Sequence, residues 1–106
     1  MDEPEWTEPA EYTHDNIKNK VLNKPGMYYL TREVWGQGQK VFYIGQTDNL
    51  QRTLEGHLQP SEPNPVIKDK IKFKSKFRIR YSDATEKERK HELKNLILEH
   101  SPIGNV

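Results

Sequence analysis

Apolar positions along the chain switch between a period near four and a period of two, with proline or glycine at most of the switches. Ile17, Val21 and Leu22 recur at helical spacing after Thr13 or Asp15, either of which is a good N-cap. That helix is predicted to stop before Pro25-Gly26. Residues 26–34 are rich in aromatic and β-branched types and predict a strand. Gly36-Gln37-Gly38-Gln39 predicts a turn, and Val41, Phe42, Tyr43 and Ile44 return as the second arm of a hairpin. After Gly45, with Thr47 or Asp48 as N-cap, Leu50, Leu54 and Leu58 recur every four residues and predict a helix. Pro60, Pro63 and Pro65 mark a loop, and Val66, Ile67 and Ile71 suit a brief helix. Phe73, Phe77, Ile79 and Tyr81 suit a third strand. The last segment, capped by Asp83 or Thr85, carries Leu93, Leu96 and Ile97 on one stripe and ends near Ser101, before Pro102. The expected fold class is α+β: a small three-stranded antiparallel sheet flanked by helices.

Composition narrows this picture. The chain has 106 residues, room for one small domain. Its hydrophobic fraction of 32% and mean hydropathy of −1.04 fall below an ordinary globular composition, so the core must be small. Cysteine is absent, which excludes disulfide scaffolds, thiolate zinc sites and cysteine nucleophiles. No apolar run approaches the ~18 residues of a membrane span. The acidic N-terminus lacks the pattern of a secretory signal, and a cytoplasmic setting, nucleoid-associated in one version, is the expectation.

The net charge of +1 averages over a sharp segregation. Residues 1–15 hold Asp2, Glu3, Glu5, Glu8, Glu11 and Asp15 with no Lys or Arg. Residues 1–14 read as an acidic, mostly mobile tail and residues 15–106 as a single domain. Two alternatives stay open: the tail competes with nucleic acid for the domain's own cations, or Trp6 and Tyr12 pin it onto the domain. Farther on, Lys68, Lys70, Lys72, Lys74, Lys76, Arg78 and Arg80 occupy every second position. On a strand that period places the cations on one face. They would either contact a phosphate backbone or protect a sheet edge from pairing.

Gly26-Met27-Tyr28 on the first hairpin strand and Tyr43-Ile44-Gly45 on the second, followed by Thr47, Asn49-Leu50, His57 and Pro102…Asn105, resemble the GIY-YIG nuclease superfamily over residues 24–106. The resemblance implies hydrolysis of phosphodiesters, usually in DNA, with one divalent ion, Mg²⁺ or Mn²⁺. It implies proton transfer by Tyr28 and Tyr43, phosphate contacts from Arg52 and His57, a metal ligand at Glu92, and a site-shaping Asn105. Lys70, Lys72, Lys74, Lys76, Arg78 and Arg80 are the expected nucleic-acid contacts. A tyrosine with its ordinary pKa of ~10 is a poor base at neutral pH, so the metal and neighbouring cations would have to lower it.

The match breaks at two demanding positions. The arginine of the pattern falls on Thr53, with Arg52 one residue early, and one residue is ~100° of helix rotation. The metal-binding glutamate falls on Leu93, with Glu92 adjacent. The leading expectation is a stand-alone metal-dependent DNA endonuclease whose site is rebuilt around Arg52 and Glu92. Its alternative is a catalytically inactive nucleic-acid-binding module on the same fold. An acidic tail that engages a basic protein partner is a weaker third. A domain of this size would borrow sequence specificity from a partner protein.

Overall fold

The computed structural model describes residues 6–71 and 74–105. Its elements run β1 (Ala10–Glu11), α1 (His14–Lys20), β2 (Gly26–Val34), β3 (Gly38–Thr47), α2 (Leu50–His57), α3 (Pro65–Lys70), β4 (Lys76–Tyr81) and α4 (Glu86–His100), then a 3₁₀ turn at Ile103–Asn105. The sheet is antiparallel with strand order β1-β4-β2-β3. It has four strands, one more than the hydrophobic pattern predicts, because β1 is only two residues long and lies where acidic composition argued for a tail.

That segment is held by specific contacts. The Tyr12 N–H donates to the Ser75 carbonyl at 3.0 Å, and the Thr7 N–H donates to the Ile79 carbonyl at 2.9 Å. Trp6 stacks on Tyr29 with ring centroids 4.0 Å apart, and the buried Tyr12 hydroxyl donates to the Leu54 carbonyl at 2.7 Å. The described residues before Asp15 therefore line the outer edge of β4, and the expected tail–domain boundary at 14/15 cuts through α1, whose N-cap is Thr13. Aromatic side chains at Trp6 and Tyr12 outweigh the solvation of Glu8 and Glu11, because each removes a large apolar area from water.

Alternation along β2 sends Tyr28 and Leu30 to one face of the sheet and Met27 and Tyr29 to the other. The first face carries the main core, where Tyr28, Leu30, Phe77 and Ile79 pack against Ile17 of α1 and its C-cap Val21, Leu50 and Leu54 of α2, and Ile67 of α3. Helix α4 covers the second face, over β3 and β2. Its cap is Thr85 in a reciprocal capping box with Glu88, and α2 is capped by Asn49 rather than by Thr47 or Asp48. Helix α3 starts at Asn64 with Pro65 in its first turn, where a missing N–H costs nothing.

The basic run does not share one surface. Lys68 and Lys70 lie on α3, Lys74 precedes β4, and only Lys76, Arg78 and Arg80 are on the strand, while Lys72 lies outside the described residues. Asn64-Pro65 nucleates a helix early in the run and breaks the period of two.

Candidate functional site

The site is built on the β2–β3 hairpin and closed by the end of α2. Tyr28 pairs with Gly45 and Leu30 with Tyr43 across the hairpin, which brings the two tyrosine rings to 6.0 Å between centroids. The Tyr28 ring lies directly over Gly45, and a Cβ at that position would fall inside the ring's van der Waals surface. Glycine at 45 is thus the counterpart of tyrosine at 28. His57, the last residue of α2, places its ring 5.6 Å from Tyr28 and 5.7 Å from Tyr43.

A hydrogen-bonded chain runs through this cluster. The Tyr28 hydroxyl is 2.8 Å from His57 Nε2, and His57 Nδ1 is 2.8 Å from Glu62 Oε1. With a neutral ring, Nδ1–H donates to the carboxylate and Nε2 accepts from the tyrosine hydroxyl. The His57 and Glu62 side chains are only 13% and 6% exposed, so the chain is largely withdrawn from water. Burial pushes the Tyr28 hydroxyl well above its ordinary pKa, with Tyr43 and the Glu62 charge adding to the shift. Burial raises Tyr43 as well; its hydrogen bond with Tyr28 works the other way and is outweighed. Among the described residues no cation counters this shift, and burial leaves both phenols reluctant to give up a proton.

Asn105 closes the free edge of β3. Its Oδ1 accepts from the Ile44 N–H at 2.9 Å and its Nδ2 donates to the Ile44 carbonyl at 2.8 Å, so one side chain imitates a neighbouring strand. Asn64 donates to the Gly104 carbonyl at 3.0 Å and ties the same turn to the start of α3. Both groups of the Asn105 amide that face the sheet are thereby committed to backbone.

The remaining candidates do not converge on the tyrosines. Arg52 points outward from α2, paired with Asp48 at 3.2 Å, both side chains largely exposed. Thr53, one residue on, has its hydroxyl 2.6 Å from that of Thr47. Glu92 is paired with Arg80, which shares a cross-strand row with Met27 and Gln46 on the face opposite Tyr28. Arg80 is further held under the Trp6 ring, 4.9 Å from its centroid, and Arg78 Nε donates to the Thr7 carbonyl at 2.8 Å. Lys76 shares that face. Lys70 pairs with Asp69 at 3.3 Å and Lys74 with Glu33 at 3.6 Å.

Two buried polar side chains escaped the sequence reading, Glu62 in the tyrosine cleft and Arg89 on the opposite face of the sheet. Glu62 lies between Pro60 and Pro63 in a stretch that read only as a helix breaker; no local pattern announces that its carboxylate meets His57. Arg89 is 5% exposed, donating to Gln46 Oε1 at 3.1 Å and to the Ala84 carbonyl at 2.6 Å. It stands one turn before Leu93 on α4, and its stripe would have been legible from the i, i+4 spacing.

The fold matches the GIY-YIG N-terminal endonuclease domain of UvrC from Thermotoga maritima, solved bound to its catalytic divalent cation, magnesium. The TM-score is 0.62 at 24% identity, covering 87% of this chain and 98% of that one. Two point-mutant forms of the same domain, also solved with the divalent cation, match with TM-scores of 0.60 and 0.62 at 24% and 23% identity, covering 87% of this chain and 97% of theirs. No family model matches the chain, and no curated protein matches its sequence. The chain has the GIY-YIG fold, as the paired half-motifs predicted.

The side chains present do not fit the divalent ion those structures hold. Leu93 offers no ligand, Glu92 is neutralised by Arg80, and Glu62 accepts from His57 and from the Asn64 N–H. Among the described residues no three His, Asp or Glu side chains cluster in a way that would hold a metal. A hard cation such as Mg²⁺ needs carboxylate oxygens free to ligate it, and the expected Glu92 is not free.

Proposed function

We propose that the protein is a nucleic-acid-binding module on the GIY-YIG fold, with DNA as its ligand, in which the metal-dependent cleavage route has no site. One observation carries the reading: the two positions the endonuclease pattern assigns to an arginine and a metal-binding glutamate hold Thr53 and Leu93, while the adjacent Arg52 and Glu92 are paired with Asp48 and Arg80. Phosphodiester hydrolysis needs charge stabilisation at the phosphate and an activated water. A buried Tyr28 and a half-buried Tyr43, both with raised hydroxyl pKa values, supply neither. The likeness to an endonuclease domain, together with the exposed Lys68, which has no ion-pair partner among the described residues, supports nucleic acid as the ligand.

A second reading, an endonuclease with a rebuilt site, draws on the Tyr28–His57–Glu62 chain, since an imidazole oriented by a buried carboxylate is a competent proton acceptor. Plasmid nicking with Mg²⁺ or Mn²⁺, run beside DNA binding across a salt series, separates the two. The module reading expects binding whose log–log salt slope reaches several units, with no nicking above a buffer control. Metal-dependent nicking that Tyr43→Phe abolishes would carry the endonuclease instead. Absence of both binding and nicking would sink the nucleic-acid reading.

A further inference from the structure

Beyond the last β4 pairing at Thr31 and Lys76, β2 and β3 continue as a two-stranded arm spanning residues 32–40. Its tip is a tight turn in which the Gln37 N–H donates to the Val34 carbonyl at 2.9 Å. Gly36 sits in the left-handed region with φ +75°, as the third position of a type II turn requires, and Gly38 follows at φ +74°. This turn holds out Trp35, which is 96% exposed. Leaving an indole in water forgoes the stabilisation that burying a large apolar side chain yields. An isolated exposed apolar residue is ordinary, but this one is accompanied by a second cost.

Arg32 and Lys40 stand directly opposite each other on the arm. Like charges in that position repel and weaken the ladder. Neither has a carboxylate within ion-pair distance among the described residues, and Glu33, the one acid on the arm, alternates to the other face and pairs with Lys74. The arm thus presents an aromatic plane at its tip and two unneutralised cations on one face just behind it. Stacking rings beside a cationic track are what a single-stranded polynucleotide binds, base on ring and phosphate on cation.

We propose that this arm is a nucleic-acid contact in which an unpaired nucleobase stacks on Trp35 while the adjoining phosphate sits between Arg32 and Lys40. The inference rests on the nucleic-acid reading above and specifies where the strand lies, away from the tyrosine cleft.

The test uses a fluorescently labelled single-stranded oligonucleotide, anisotropy over a salt series, and the intact chain with its Trp35→Ala and Arg32→Ala/Lys40→Ala variants. Trp35→Ala should bind about tenfold more weakly at an unchanged salt slope, from the loss of one stacked base. The double variant should lower the slope by about 0.7, the share of one phosphate of a single strand. Oligonucleotide should quench tryptophan emission in the intact protein and not in Trp35→Ala, where Trp6 remains as an internal control. Neither variant should unfold at a lower temperature than the intact protein, since none of the altered side chains is buried and the double variant also removes a like-charge repulsion. If the intact chain binds but the variants bind equally well, the arm is not the contact and the module reading stands alone. If the intact chain binds no nucleic acid, both fall. Concentration-dependent dimerisation abolished by Trp35→Ala in sedimentation would assign the tip to a second copy of the chain and overturn the proposal.

Discussion

Glu62→Ala tests whether the buried hydrogen-bonded chain organises the tyrosine cleft. The substitution removes the acceptor of His57 Nδ1–H at 2.8 Å and a weaker one for the Asn64 N–H at 3.3 Å. Because the His57 side chain is only 13% exposed, water does not readily replace the lost partner. A hydrogen bond to a charged acceptor in such a place contributes about 1.5–3 kcal/mol, and the orphaned donor keeps its desolvation cost. A loss of about 2–3 kcal/mol is expected, a sizeable part of the 5–15 kcal/mol that holds a domain together. Glu62→Gln retains a neutral acceptor and should lose roughly half as much. Urea denaturation followed by circular dichroism measures each variant, and a cycle with His57→Ala isolates the pair. Its coupling should be on the order of 2 kcal/mol. A Glu62→Ala variant within about 0.5 kcal/mol of the parent, or a cycle that is additive, would show that the chain does not support the site.

Asn105→Ala should cost roughly 1–3 kcal/mol by orphaning both backbone groups of Ile44, with accelerated amide exchange at Ile44 as the local readout; unchanged exchange there would refute the strand-mimic role. Tyr12 and Tyr28 both have hydroxyl pKa values raised well above 10 by burial, whereas the unfolded chain loses these protons near ~10. Their contribution is therefore fully present below pH ~10 and lost as the pH climbs toward the folded values, at about 1.4 kcal/mol per pH unit for each; urea midpoints from pH 9 to 11 should show it, Tyr28→Phe should remove one share, and a flat profile would contradict the burial argument. Thr53→Arg combined with Leu93→Glu installs the two missing side-chain types; Mg²⁺-dependent nicking should appear in the pair and in neither single variant, and a nicking parent would overturn the premise.

Elements with strong punctuation were legible in the chain. The hairpin followed from its alternation and the Gly36–Gly38 turn, α2 from Leu50 and Leu54, and α4 from the Thr85 cap and its stripe. What failed did so where a local rule met a competing one. Lys68 to Arg80 alternate like a strand throughout, yet Asn64 and Pro65 start a helix and the period then describes only residues 76–81. The caps of α2 were misplaced by one or two residues because Thr47, Asp48 and Asn49 are all good capping types, and only Asn49 has its side chain against the Arg52 N–H. The N-terminal strand was hidden because charge counting weighs every residue equally, whereas docking is decided by Trp6 and Tyr12. Glu62 was hidden for a different reason: its partner is five residues away on another element, and nothing in a proline-rich loop signals a buried carboxylate.

The half-motifs were readable even though the chemistry they usually accompany was not, and the structure explains the separation. Tyr28 and Gly45 are a steric pair, since the ring of one lies where the other can have no Cβ. Asn105 satisfies both backbone groups of Ile44, the residue between Tyr43 and Gly45. His57 caps the cluster through Tyr28 and Glu62. Each of these residues is required to build the hairpin and close its edge, whatever the hairpin is used for. Thr53 and Leu93 stand where the pattern has its charged side chains; neither position is needed to set the backbone, and each tolerates a neutral residue that pairs or packs locally. A sequence can therefore keep the half of the pattern that specifies the fold while losing the half that would bind a metal and a phosphate, and recognising the first half carries no information about the second.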